Sequence, residues 1–379
     1  MFCTLVQGVQ SYKVLQLVLI RSVFDMEINM IKISAVDLFC GAGGLTHGLI
    51  KSKINVVAGF DIEESCRHAY QANNKGAKFF NRDVASLTAE EILSLYPNGH
   101  IKLLAGCAPC QPFSTYSQGR DPQKDKKWPL LYAFSRLIRE VAPELVTMEN
   151  VPDVTKHKVY HDFVSELEEL GYQIWAQRVY CPDYGMPQVR KRHVLLASKL
   201  GKIELLKPTY KQEDYRTVKD AIGNLPPIAA GQQSSGDPLH ISAGLSDLNL
   251  KRIKASKPGG SWLDWPEELR ATCHRKESGK TYSGVYARMS WDKPSPTMTT
   301  QCFGYGNGRF GHPQQNRAIS LREAALLQTF PEDYDFIPPD GALHLTVVGR
   351  MIGNSVPVEL GYIIGKSMLS HIKTPEVIT

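Results

Sequence analysis

The chain has 379 residues, with 44 Lys and Arg against 38 Asp and Glu, a formal net charge of +6, and 42% hydrophobic and 22% charged residues. These proportions exclude a disordered or collagen-like chain. A single core rarely grows past about 250–300 residues, so two lobes are expected. A charge of +6 permits an anionic partner, and what matters is where the basic residues cluster.

The eight cysteines, at 3, 40, 66, 107, 110, 181, 273 and 302, are irregularly spaced and do not resemble a disulfide framework. No apolar run approaches the roughly 18–20 residues of a membrane span. A short apolar stretch at 14–20 lacks the small-residue cleavage site of a signal peptide. A cytoplasmic location without membrane association is expected. The first convincing strand starts at Ile31, directly after Met30, so residues 1–29 are expected to lie outside the folded domain.

From there the first half alternates strand-like and helix-like segments. Residues 31–39 read as a buried strand, followed by a Gly-rich turn and a helix from about Leu45. Further strands are expected at 54–60, around 78–80, and at 101–105, 144–148, 174–180 and 192–198, with a crossover helix at 132–141. Strands separated by helices predict an α/β fold with a doubly wound, mostly parallel sheet. After residue 200 the pattern turns irregular and rich in Pro, Gly and Ser, and helical order returns at 321–330 and 358–372. The domain expectation is 31–199 plus 320–379 for one lobe and 200–319 for a smaller, irregular one. The window 251–293 holds ten basic and five acidic residues, a net +5, interleaved with Trp262, Trp265, Tyr282, Tyr286 and Trp291. That mixture suits a nucleic-acid surface, and it equally suits a solvated, loop-rich subdomain.

Several strand ends carry chemistry. Asp37-Leu38-Phe39-Cys40-Gly41-Ala42-Gly43-Gly44-Leu45 joins a strand to a helix through glycines that let backbone N–H groups approach a ligand. A dinucleotide fingerprint would need Gly where Thr46 stands, so the turn suits a nucleoside with a charged tail instead of a pyrophosphate. Asp61 lies 20 residues after Gly41, where a carboxylate can clamp ribose hydroxyls, and Asp83 at the next strand end could accept from an adenine amino group. In Gly106-Cys107-Ala108-Pro109-Cys110-Gln111-Pro112-Phe113-Ser114, a cysteine on a rigid loop past a strand is a candidate nucleophile. The Cys107/Cys110 pair could also be redox-active or bind zinc, but no second C-x-x-C exists to complete a zinc site. The polar, basic segment that follows looks able to close over a ligand.

Glu149, at the end of an apolar strand before Asn150, could share a proton with a ring nitrogen, or it could simply cap a helix. Arg190 and Arg192, two apart after Gln188, share one face if extended and could hold an anion, a base carbonyl or the Cys loop. The stretches 294–300 and 353–357 are turn-like by composition and carry no role on physical grounds alone.

The order of these motifs resembles that of the DNA (cytosine-5)-methyltransferase family. The likeness rests on Asp37-Leu38-Phe39-x-Gly41-x-Gly43-Gly44, Pro109-Cys110-Gln111-x-Phe113-Ser114, Glu149-Asn150-Val151, Gln188-x-Arg190-x-Arg192 and Gly353-Asn354-Ser355-Val356. It covers about 31–198 and 288–372, while 200–287 falls in the family's variable target-recognition region. The resemblance implies a Rossmann-like methyltransferase fold and S-adenosylmethionine as cofactor, with S-adenosylhomocysteine as product and no metal.

It implies Cys110 as the nucleophile toward C6 of a flipped cytosine, Glu149 at the N3 edge, Arg192 at the base carbonyl and Arg190 supporting the Cys loop. Phe39, Gly41, Gly43, Gly44, Asp61, Ile62, Asp83, Leu130, Asn354, Ser355 and Val356 would form the cofactor site. Gln111, Ser114, Asn150 and Gln188 would meet the substrate, and 114–127 would close over it. Double-stranded DNA is the expected partner, read by residues such as Arg252, Arg270, Arg275 and Lys276. A monomer serving a restriction-modification system with a cognate endonuclease, or acting alone, is expected. The alternatives are a tRNA cytosine-5 methyltransferase, a silent DNA-binding protein on the same scaffold, and a thiol oxidoreductase using Cys107 and Cys110.

Overall fold

The structure, a computed structural model, describes residues 32–109, 129–276 and 284–374. Its centre is a seven-stranded sheet of order β3-β2-β1-β4-β5-β7-β6. The strands are β1 (Ile33–Leu38), β2 (Asn55–Asp61), β3 (Lys78–Asn81), β4 (Ile101–Gly106), β5 (Leu145–Asn150), β6 (Gln173–Tyr180) and β7 (Lys191–Ser198). The first five are mutually parallel, and β7 runs antiparallel between β5 and β6.

All six residues of β1 are buried, because it is central and both sheet faces are covered. The alternation of the strand sends side chains to two different cores. Ile33 and Ala35 of β1, Leu103 and Ala105 of β4, and Val194 and Leu196 of β7 join one core with helices α1 (Gly44–Ser52), α8 (Leu321–Leu327), α9 (Leu345–Asn354) and α10 (Val358–His371). Val36, Leu38, Leu104, Leu195 and Ala197 join the other. That second core is closed by α3 (Ala89–Leu93), α4 (Pro129–Val141) and α5 (Lys158–Glu169). In α4 the buried Leu131, Phe134, Leu137, Ile138 and Val141 follow helical spacing, as an amphipathic crossover requires. The short α2 (Arg67–Asn73) links β2 to β3.

The return of the C-terminal segment depends on small residues. Helix α10 lies against α1, where a Cβ on Gly48 would come 2.3 Å from the Val358 carbonyl and one on Gly365 2.1 Å from Ser52 Oγ. Strand order reverses between β1 and β4, so their carboxyl ends frame the crevice where open α/β sheets bind ligands.

The short α6 (Val218–Ile222) and α7 (Asp247–Ala255) lie in the irregular part. The core does not divide at residue 200. Ile203, Leu205, Val218, Ile222, Leu239, Met289, Met298, Cys302 and Phe310 all belong to the large core. A separate small cluster comprises Ile253, Trp262, Trp265, Tyr305 and Ala318. Its composition corrects the expectation of a basic-aromatic surface: Trp262 and Trp265 are only 1% and 2% exposed. Arg252 lies over the Trp265 and Tyr286 rings and donates to the Leu269 carbonyl. Arg270 donates to the carbonyls of Trp265 and Leu263, and Arg275 to that of Glu267. Arg252 is buried and Arg270 partly so, whereas Arg275 and Lys276 are exposed.

Among the described residues, no helix is long and apolar enough to cross a membrane. The proposed extension at 1–29 lies outside the described residues.

Candidate active site

The turn after β1 packs three left-handed residues into five positions: Phe39 at φ 59°, Gly41 at 52° and Gly43 at 90°. A left-handed conformation at Phe39 is costly for a residue with a Cβ, and such strain clusters at functional sites. The glycines differ in what they accommodate. A Cβ on Gly41 would meet nothing within 4 Å, whereas one on Gly44 would lie 2.3 Å from the Val356 carbonyl. Gly41 therefore borders open space, and Gly44 lets the segment 354–356 close against the turn.

Two carboxylates support this turn. Asp61, at the end of β2, accepts from Gly41 N (2.8 Å) and Glu63 N (2.9 Å). Burial raises its pKa. Asp37, 1% exposed beneath the turn, accepts from Thr46 Oγ1 at 2.7 Å, and burial pushes its carboxyl up to about 7. From the far end of the chain, Tyr334 donates to the Ala42 carbonyl. Ile62, beside Asp61, is 68% exposed, and Asp83 is exposed with its carboxylate accepting from Ala85 N. Leu130 is half-buried in the first turn of α4.

The second half of the site spans β4, β5 and β7. Gly106 pairs with Met148, so the chain leaving β4 passes beside Glu149. Glu149 lies within β5, opposite Val194 of β7, which excludes a helix-capping role. Arg192 is two residues from Val194 and so shares its face. Its Nε lies 2.8 Å from Glu149 Oε1, with the two side chains 13% and 4% exposed. The other carboxylate oxygen accepts from Cys107 Sγ at 2.9 Å. Cys107 is thus a glutamate partner, a role its C-x-x-C spacing does not reveal.

Other site residues prove to be scaffolding. Asn150, expected at the substrate, is buried; it donates to the Ala108 carbonyl (3.1 Å) and accepts from Val151 N (2.8 Å), tying the Cys loop to β5. Gln188, also expected at the substrate, has its whole amide occupied. Its nitrogen donates to the Leu327 carbonyl and to Gln328 Oε1, and its oxygen accepts from Met298 N and Arg190 Nη1.

Arg190 is 2% exposed and donates to the carbonyls of Met298, Gly353 and Ser355. It braces the C-terminal return and makes none of these bonds to the Cys loop, because its guanidinium faces 298 and 353–355. Burial, with Arg192 nearby, pulls its pKa down to about 9, which still leaves it charged at neutral pH. The turn-like stretches 294–300 and 353–357 acquire their role here. A Cβ on Gly353 would fall 2.4 Å from Thr300 N. Ser355 is buried and Asn354 is exposed beside it. Gln328, which donates to the Ile352 and Ser355 carbonyls, and Tyr334 are further supports that carry no motif in the sequence. Cys110, Gln111, Ser114 and the expected closing loop at 114–127 lie outside the described residues.

A doubly wound sheet, a glycine turn backed by carboxylates, and a strand-end glutamate clasped by an arginine and a thiol define an α/β enzyme built for a nucleoside-type ligand. Comparison with known proteins narrows that class. The family model for C-5 cytosine-specific DNA methylases matches residues 33–370. The type II methylase M.HgiDII of Herpetosiphon aurantiacus is 53% identical over 338 residues, covering 88% of this chain and 94% of that protein. The type II methyltransferase M1.HphI of Haemophilus parahaemolyticus is 30% identical over 346 residues, 90% of this chain and 88% of that protein. A solved structure described as a DNA modification methyltransferase encoded within an E. coli prophage shares the fold. Its TM-score is 0.68 at 23% identity, covering 90% of this chain and all of that one. The chain belongs to the C-5 cytosine-specific DNA methylase family and is a DNA (cytosine-5)-methyltransferase. A tRNA substrate is not favoured by these likenesses.

Proposed function

We propose that the enzyme methylates C5 of a cytosine turned out of duplex DNA, through a covalent bond from Cys110 to C6. We further propose that it serves as the modification partner of a type II restriction endonuclease, a role carried by the 53% identity to M.HgiDII. The observation that carries the chemistry is the Arg192–Glu149 contact of 2.8 Å on a nearly buried carboxylate beside the Cys loop.

The base has to leave the stack, because its C6 is out of reach inside the duplex. The Cys110 thiolate adds to C6, and the electron pair displaced toward the ring is stabilised where Glu149 meets N3. C5 then becomes nucleophilic and takes the methyl group. A base removes the C5 proton, the C5–C6 double bond re-forms and the sulfur departs. Arg192 orients Glu149 and reaches the base carbonyl. S-adenosylmethionine, when bound, supplies the electrophilic methyl and leaves as S-adenosylhomocysteine.

The residues present fit that cofactor. The open side of Gly41 and the uncapped start of α1 at Gly43 suit its charged tail. Asp61 suits the ribose, the exposed Ile62 an adenine face and Asp83 the adenine amino group, with Phe39, Gly44, Leu130 and 354–356 completing the wall. Base readout is assigned to the irregular region, through exposed side chains such as Lys276.

Duplex DNA carrying 5-fluorocytosine tests the covalent step, since a C5 fluorine cannot leave as a proton does. A denaturation-resistant protein–DNA band is expected with the native chain and none with Cys110→Ser. Methylation by Cys110→Ser, detected by bisulfite sequencing, would refute the mechanism.

A further inference from the structure

We infer that Cys107 is a positioning residue for the reaction: its thiol holds Glu149 Oε2 in the orientation the cytosine edge requires and yields that oxygen when the base arrives. This assignment rests on the role of Glu149 proposed above.

Three observations support it. First, the two oxygens of Glu149 are approached from different sides, Oε1 by the Arg192 guanidinium in an ion pair at 2.8 Å and Oε2 by a hydrogen bond from Cys107 at 2.9 Å. A carboxylate held at one oxygen only can still rotate about its last bond, and one held at both cannot. Second, the thiol stands on fixed backbone. Cys107 N donates to the Leu38 carbonyl (3.2 Å), and the next residue is tied to β5 through Asn150 (3.1 Å). The donor therefore comes from a loop braced on both neighbouring strands. Third, the two contacts differ in kind. The arginine contact is an ion pair between full charges in a nearly buried setting, while a neutral thiol is a weak hydrogen-bond donor. When a ring N–H or amino group approaches Glu149, the oxygen on Cys107 is the one more easily surrendered. A carboxylate of 4% side-chain exposure then has its one hydrogen bond from the thiol before the base enters, and gives it up at low cost afterwards.

The test is a double-mutant cycle read by single-turnover methyl transfer and DNA affinity. Cys107→Ala is expected to slow transfer about fivefold to tenfold, the size of one hydrogen bond, with DNA affinity unchanged. Cys107→Ser, which keeps a donor, restores most of the rate. In a Glu149→Gln background the alanine substitution is expected to cost about twofold or less. A merely structural role would cost the same in both backgrounds. Equal losses in both, or no loss in Cys107→Ala, overturn the assignment while adduct formation on 5-fluorocytosine DNA by the native chain leaves the mechanism standing. A native chain that forms no adduct overturns the mechanism and this assignment with it.

Discussion

Two regions of this molecule are rich in charged and aromatic residues, and they use them in opposite ways. At the carboxyl ends of β1, β2, β4 and β5, side chains are gathered at one edge of the sheet: Asp61 caps the glycine turn, the apolar Ile62 stays exposed, and Glu149 lies between Arg192 and Cys107. In the 251–318 region the same residue types are consumed internally. Arg288, 5% exposed, donates to the carbonyls of Ile253, Ser256, His312 and Gln315. Arg252 is packed on two rings, and Trp265 Nε1 donates to Ser256 Oγ. A loop-rich subdomain has little regular hydrogen bonding of its own, so buried guanidinium groups supply donors for carbonyls that no sheet satisfies. Local net charge therefore overstates the charge available to DNA.

This contrast can be broken by substitution. The largest effect is expected from Glu149→Gln, which keeps the shape of the side chain and an acceptor for Arg192. Single-turnover methyl transfer should fall by about 10²–10⁴-fold, as for loss of a proton-handling group, with the melting temperature nearly preserved. Activity within a few-fold of the native chain would remove Glu149 from the chemistry.

Arg288→Ala should do the reverse. Stripping the donor from several buried carbonyls costs about 3 kcal/mol or more, seen as a melting temperature lower by roughly 5 °C or more. Weakened DNA binding with unchanged melting would instead place Arg288 on the DNA surface and erase the distinction between the regions. The smallest effect is expected at Ile62→Ala. Losing about 1 kcal/mol of apolar contact should weaken S-adenosylmethionine binding roughly fivefold in calorimetric titration, with no change in melting. An unaltered affinity would take Ile62 out of the cofactor wall.

Much of the fold was legible locally. β1 is a mostly apolar run that leads into a glycine turn, α4 shows helical spacing, and the alternation of such segments predicts a doubly wound sheet. The carboxylates at strand ends were legible for the same reason, since in such sheets ligands bind where parallel strands finish. The antiparallel insertion of β7 between β5 and β6 was not, because strand order depends on contacts far apart in sequence. Nor was the fate of individual polar groups. Gln188, Asn150 and Arg190 sit in the same motifs as Glu149 and Arg192, and nothing local separates a guanidinium aimed at Glu149 from one aimed at Gly353 and Ser355.

Residue type and spacing suffice for the family, the alternating pattern of the sheet and the set of residues from which a site could be built. Which of those residues gather at the strand ends and which brace them emerges only on folding. That outcome turns on burial and on the partner each polar atom finds. It is why Cys107, read as half of a metal or redox pair, proves to hold a glutamate, and why two tryptophans and two arginines of a basic, aromatic stretch prove to be core.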